Sequence, residues 1–303
     1  MQQNHRRRIG PARLHRMQAN ARADIGEVAS KLGHDTLSRL LLRNEARKEP
    51  SKVLIKEPSR GSSKYDSIIH PQFLLVRTTM TIQPQFELYA FWRTSATYRV
   101  RVALNLKGLT AHEKIINLDA GEQRSAAFLA INPLGAIPAL IQAGEPPYPP
   151  LTQSMAILEF LDELQPLPSL LPSDLHGRAR VRSIAGMLVS DTHPLITPRV
   201  KKYLTGAGGF DDAAWRAWQM QWFGTGMAAV EQRLASDTQT GEYCHGDSVT
   251  MADICLASIT AVMRVFKIPN TNTPTIDRIV GNCEQLEAFK LANPMQQAGA
   301  PLL

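Results

Sequence analysis

The chain has 303 residues, 44% of them apolar and 20% charged, with three cysteines and a formal net charge of +7. That length accommodates about two domains, and the apolar fraction excludes a wholly disordered or collagen-like chain. No window approaches the ~18 uninterrupted apolar residues of a membrane span. Cys244, Cys255 and Cys283 make neither a metal-ligand pattern nor a disulfide framework. No membrane and no metal is therefore implied, and a reducing, cytoplasmic setting fits.

The positive charge is segregated. Residues 1–80 hold 16 Lys and Arg against 7 Asp and Glu, a balance of +9, while the remainder holds 18 against 20, a balance of −2. The body of the protein is not basic, which argues against a nucleic-acid partner. Residues 1–83 open with His5-Arg6-Arg7-Arg8 and read as a basic extension outside the fold. It is either disordered or placed ahead of a true start at Met80. Ile25, Val28 and Leu32 could line one amphipathic helix, and residues 56–63 have linker composition. The basic start is not followed by the apolar run of a secretory signal. A mitochondrial transit peptide and a tail for nucleic acid or a membrane surface are the alternatives; seven acidic residues count against the first.

Residues 84–165 alternate strands and helices. Phe86 to Phe91 suits a buried strand. Val100, Ala103, Leu104 and Lys107 recur at helical spacing, and Gly108 is placed to end that helix. Glu113 to Leu118 predicts a second strand, which makes a parallel βαβ unit. A helix around Arg124–Ile131 precedes a third strand that grows out of Asn132 to Ile141, with Pro138 at its start, as at a sheet edge. Gly144-Glu145 marks a hairpin turn. Leu151 then leads to Gln153-Ser154, with Ser154 a candidate N-cap for a helix from Met155 to Leu164.

Residues 173–303 read as helices: Arg178 to Val189, Asp211 to Leu234, Ile254 to Phe266, and a last one from Ile276 to Leu291. Trp215, Trp218 and Trp222 form a stripe expected to be core. Thr250-Met251-Ala252-Asp253 has the form of a capping box, with Asp in place of Glu. Arg264 stands in an otherwise apolar helix. Asp253 is three turns back and Asp277 lies beyond Pro269 and Pro274, so no local ion pair is expected. An uncompensated charge is costly there, and a ligand carboxylate would satisfy it.

The order of elements, and above all the string Trp92-Arg93-Thr94-Ser95-Ala96-Thr97-Tyr98-Arg99-Val100-Arg101-Val102-Ala103-Leu104, resembles the zeta class of glutathione transferases. That class includes the maleylacetoacetate and maleylpyruvate isomerases. The resemblance runs from about 86 to 298 and departs at Ala96, where many members carry Cys. It implies an α/β thioredoxin-like, glutathione-binding domain over 84–165 and an all-α substrate domain over 173–303.

The resemblance also implies a site. A helix N-terminus lowers a thiol pKa, and a hydroxyl there can donate to the sulfur; Ser95 is the first choice and Thr94 the second. Ile137-Pro138 resembles the family's cis-proline, whose preceding backbone pairs with an extended peptide. Gln153 and Ser154 would take the γ-glutamyl carboxylate at a helix N-terminus. Thr97, Arg99, Gln123 and His193 join the glutathione set, and Asp253 takes a folding role. Arg93, Arg199 and Arg264 would hold the carboxylates of a diacid. The implied reaction is reversible thiolate addition to a cis double bond, rotation, and expulsion to the trans product. Maleylacetoacetate is the first substrate; maleylpyruvate and general glutathione conjugation are alternatives. A non-catalytic interaction protein of the same fold is another, against which Gln153-Ser154 and Arg264 together argue. A homodimer is expected by resemblance.

Overall fold

The computed structural model describes residues 85–144, 146 and 148–301. The expectations for residues 1–83, and for Glu145 in the hairpin turn, lie outside them.

Strand β1 (Phe86–Ala90) alternates its faces as a pleated strand must. Phe86, Leu88 and Ala90 enter the main core, while Tyr89 packs with Phe128 and Ala139 on the other side. Helix α1 (Ser95–Lys107) ends at Gly108 with φ 64°, a left-handed conformation that costs glycine nothing. Strand β2 (Ala111–Ile115) runs parallel to β1, with Phe86 opposite Ala111. It starts and ends earlier than the predicted 113–118. Asn117 accounts for the early end: its Oδ1 accepts from the backbone N–H of Asp119 at 3.0 Å and of Ala120 at 3.1 Å. Such a side-chain turn replaces the ladder.

A single 3₁₀ turn, Glu122–Arg124, leads to α2 (Ala126–Ile131), capped by Ser125, whose Oγ accepts from Phe128 N at 3.2 Å. Strand β3 (Ala139–Gln142) pairs antiparallel with β1 and with β4 (Leu151–Thr152), giving the order β2-β1-β3-β4. The edge position expected for Pro138 is therefore corrected. β3 is an inner strand, and Pro138 is tolerated because it lies one residue ahead of the ladder. Helix α3 (Ser154–Leu164) begins one residue earlier than predicted. Its N-cap is Gln153, not Ser154, which is the first helical residue.

The helical layer follows: α4 (Leu175–Gly186), a wide π turn over Met187–Thr192, a 3₁₀ turn over His193–Ile196, then α5 (Pro198–Gly206) and α6 (Asp212–Ala235). The chain closes with α7 (Met251–Val265), α8 (Pro274–Gln285) and α9 (Glu287–Lys290). The last two replace the single helix predicted over 276–291. Leu286 is extended, with ψ 136°, and the break turns Phe289 into the core. The tryptophan stripe is corrected in part. Trp215 is buried on the line Gln219, Phe223, Met227 and Val230, whereas Trp218 and Trp222 are only half-buried. Trp218 donates from Nε1 to the carbonyl of Leu195 at 2.7 Å, and its ring meets Trp222 edge-on at 5.5 Å. These indoles seat the turn that carries His193.

Helix α7 is the axis of the helical layer, buried continuously from Met251 to Thr260. Its capping box forms as the sequence predicts. Asp253 Oδ2 accepts from Thr250 N and Thr250 Oγ1, both at 2.8 Å, and Oδ1 accepts from Cys244 N at 2.7 Å. Glu231 does a similar service for α8, accepting from Thr275 N at 3.0 Å and Ile276 N at 2.9 Å. One continuous core joins β1, α1, α3, α4, α6, α7 and α8. Among the described residues no helix is long and apolar enough to cross a membrane.

Candidate active site

The cleft of the sheet layer opens where three backbone features converge. Thr94 precedes the first turn of α1, the Ile137-Pro138 peptide is cis, and Gln153 sits at φ 66° ahead of α3. A left-handed, non-glycine residue is a strained conformation of the kind kept at binding sites. The cavity measures about 220 Å³, and these residues line it together with Arg99, Gln123, Ser154, His193 and Arg199.

Thr94 holds the N-cap position, yet its hydroxyl makes no capping hydrogen bond. Its Oγ1 lies 2.6 Å from Thr97 Oγ1, so the pair stands at the positive end of α1 with one hydroxyl on the cleft wall. Ser95, the sequence's first choice, is not on that wall. It is buried, and its Oγ has no hydrogen-bond partner. The side chain following Thr94 on a helix points away from it, so only one of the two hydroxyls can face the cleft. Thr97 is also buried and reaches the site only through Thr94.

Arg99 is fully buried, with no carboxylate partner among the described residues. It donates from Nε to Ser154 Oγ and from Nη1 to Ser258 Oγ, both at 3.0 Å, and so ties α1 to α3 and α7. Burial pulls its pKa down from the usual arginine value. His193 lines the same cavity as Arg99 and Arg199. Burial and those two guanidiniums lower its pKa to about 3, so the imidazole is neutral at neutral pH. Gln123 lines the cleft with its Oε1 buried and unpartnered, as an atom awaiting a ligand donor would be.

Sequence reasoning missed the loop between α2 and β3. Asn132 donates from Nδ2 to Ala136 O at 2.6 Å and accepts at Oδ1 from Leu134 N at 3.1 Å. This shapes the approach to the cis peptide. Gly135 adopts φ 60°, and a Cβ there would stand 2.7 Å from the carbonyl of Gln123. Arg124 also lines the cleft. The Asn-Pro-Leu-Gly string directly before Ile137-Pro138 was the available signal.

Two of the three expected substrate arginines lie elsewhere. Arg93 pairs with Asp119, Nη1 to Oδ2 at 2.7 Å, and sits against the rings of Phe91, Trp92 and Phe266. Arg264 pairs with Glu284, a partner beyond the local pairs that the sequence reading considered. It borders a second cavity, with Tyr98, Lys267 and Lys290. Glu284 lies on α8, outside the helix of Arg264, so a search along one helix could not find it. The physical demand for a ligand carboxylate at Arg264 is thereby removed. Arg199 alone of the three lines the cleft.

Among the described residues the cleft thus carries Arg99, Arg124 and Arg199 and no carboxylate. A thioredoxin-like sheet with a cis Ile-Pro, backed by an all-helical layer, is the fold of the glutathione transferases. Residues 84–163 match the glutathione S-transferase N-terminal domain family. The chain is 39% identical over 211 residues to maleylpyruvate isomerase of Ralstonia sp, covering 70% of this chain and 98% of that one. It is 38% identical to maleylacetoacetate isomerase of Rattus norvegicus, over 71% of this chain and 94% of that one. Maleylacetoacetate isomerase of Methylobacterium extorquens AM1, solved with malonate and glutathione bound, superposes with TM-score 0.69 at 42% identity, covering 71% and 100% of the two chains. The chain belongs to the glutathione transferase family, and within it to the zeta class of maleylacetoacetate and maleylpyruvate isomerases.

Proposed function

We propose that the cleft binds glutathione and that the protein is a glutathione-dependent cis–trans isomerase of a maleyl diacid. Bound glutathione supplies a thiolate that adds reversibly to an activated cis double bond, which permits rotation. The observation that carries the reading is the cleft itself. Three guanidiniums with no carboxylate among the described residues, a cis peptide, a strained Gln153 and an orphaned Gln123 oxygen surround the Thr94 hydroxyl at the N-terminus of α1.

Each group then has a task. The Thr94 hydroxyl donates to the sulfur, and the N-terminus of α1 favours its charged form. The backbone of Ile137 pairs with the extended ligand. Gln153 and Ser154 take a carboxylate at the start of α3, with Arg99 holding the Ser154 hydroxyl. Arg199 holds a substrate carboxylate and the charge that develops beside it. Arg93 and Arg264 would join only by leaving Asp119 and Glu284. Ala96, on the cleft wall, offers no thiol, so hydroxyl and helix terminus act without one.

The domain division, 84–165 for glutathione and 173–303 for the diacid, is part of the same reading. So are a homodimer and a place in aromatic amino-acid degradation in the cytoplasm; the three buried, unpaired cysteines suit a reducing compartment. The relatives' names support both maleylacetoacetate and maleylpyruvate as substrates. Retention of the purified chain on immobilised glutathione, with elution by free glutathione, tests the cofactor. Failure to bind would favour a non-catalytic protein of this fold.

A further inference from the structure

One wall of the cleft is a single stretch of chain. Val189, His193, Pro194, Thr197, Pro198 and Arg199 all line it, and they follow one another through the π turn, the 3₁₀ turn and the start of α5. This stretch packs against α6. Along α6, Trp218, Trp222 and Gly226 fall at i, i+4 and i+8, the spacing of one ridge on a helix surface. At one end of that row Trp218 Nε1 donates to the carbonyl of Leu195 at 2.7 Å. At the other end the ridge is interrupted. Gly226 leaves a notch, and Thr192 fills it. A Cβ on Gly226 would overlap Thr192 Oγ1 and stand 2.8 Å from its Cγ2 and 3.0 Å from its Cβ.

Thr192 cannot turn out of the way. Its β-branched side chain is stiff at χ1. It is buried, and its Oγ1 donates to the carbonyl of Met187 at 2.8 Å, across the π turn. A side chain at Gly226 would therefore push the backbone of Thr192, and the next residue is His193. Resting on the glutathione reading, we propose that Gly226 and Trp218 are positioning residues for glutathione: they lock the wall onto α6 and so set where His193 and Arg199 stand in the cleft. Neither lines the cleft itself, so each acts through the wall. A glycine inside a helix weakens it relative to alanine, and the close approach of Thr192 accounts for that cost at Gly226. Gly224 supplies the matched control. It lies in the same helix, and a Cβ there would meet nothing within 4 Å.

The test uses the full chain, with binding of S-methylglutathione measured by calorimetry and KM for glutathione measured in the isomerase assay. Gly226→Ala should weaken binding roughly tenfold or more, since a small misplacement of a positioning group is costly. The loss should fall on KM more than on kcat, because Thr94 and the N-terminus of α1 stand on another wall. Gly224→Ala makes the same chemical change two residues away and should bind as the wild type does. Adding Thr192→Ala to Gly226→Ala removes the two overlapping γ atoms and should restore most of the affinity. Should Gly226→Ala not fold, Trp218→Phe decides: it keeps an aromatic ring, loses the donor to Leu195, and should also raise KM for glutathione. Unchanged affinity in Gly226→Ala, or in Trp218→Phe where that variant decides, would overturn the proposal. So would an equal loss in Gly224→Ala, or no recovery on adding Thr192→Ala. Absence of wild-type binding would instead overturn the glutathione reading, and this inference with it.

Discussion

Arg99 donates through Nε to Ser154 Oγ at 3.0 Å, joining α1 to the first residue of α3 across the floor of the cleft. The guanidinium is buried without a carboxylate among the described residues, an arrangement that burdens the fold and serves a ligand. Arg99→Met removes that desolvated charge and the donor that fixes Ser154. Its Tm should stay near the wild-type value, while affinity for glutathione falls roughly ten- to a hundredfold, the worth of about 1.5–3 kcal/mol for a bond to a charged group. Thermal denaturation beside a binding titration checks this. A large fall in Tm with affinity intact would assign Arg99 to the fold alone.

The two hydroxyls at the start of α1 separate as cleanly. Thr94→Ala should raise the apparent pKa of bound glutathione, move the pH–rate profile to higher pH and cut turnover roughly ten- to a hundredfold. Ser95→Ala should leave the profile where it is, because that hydroxyl is buried and unpartnered. If neither substitution shifts the profile, the helix N-terminus suffices for the thiolate.

Much of the fold was legible in the sequence because local chemistry determined it. Gly108 ends α1 and the Thr250–Asp253 box starts α7, each as residue type and spacing demand. The cleft was legible through Ile137-Pro138 and Gln153-Ser154, which need the order of elements and not their packing. What escaped depended on tertiary contact. Glu284 meets Arg264 from another helix, Asp119 meets Arg93 from beyond β2, and Ser95 turns inward while Thr94 faces the cleft. Helical periodicity could not say which tryptophans of α6 face the core and which carry the turn of His193.

Asp253 accepts three hydrogen bonds inside a fully buried site, from Cys244 N, Thr250 N and Thr250 Oγ1. Asp253→Ala leaves those donors unpaired around the central helix and should cost about 3–5 kcal/mol of stability. The measurement is the denaturant midpoint at constant slope. A loss below about 1 kcal/mol would mean that α7 is held by packing, not by its cap.

The acid limb of stability should carry the signature of His193. Its folded pKa, about 3, lies below the ordinary 6.5. Between those values the unfolded chain binds a proton that the folded protein refuses. Stability is therefore complete above the unfolded value and falls as pH decreases through this window, by up to about 1.4 kcal/mol per pH unit. Asp174 and Asp237, held low by the Gly177 N–H and by Arg180 respectively, act only below the ordinary Asp value of 3.8. The limb from about pH 4 to 6.5 should flatten in His193→Gln when Tm is followed against pH. An unchanged limb would show that His193 is not the group responsible.

The central claim is that this cleft uses glutathione to isomerise a maleyl diacid. It is tested most directly by following the ultraviolet absorbance of maleylacetoacetate, and of maleylpyruvate, with and without glutathione. The account predicts conversion to the trans product with at least one of them, abolished when glutathione is omitted. It also predicts that Arg199→Met lowers kcat/KM for the diacid roughly ten- to a hundredfold, while conjugation of an uncharged chloronitroaromatic is spared. Conjugation of the chloronitroaromatic with no glutathione-dependent conversion of either diacid would contradict it and make the protein a general transferase.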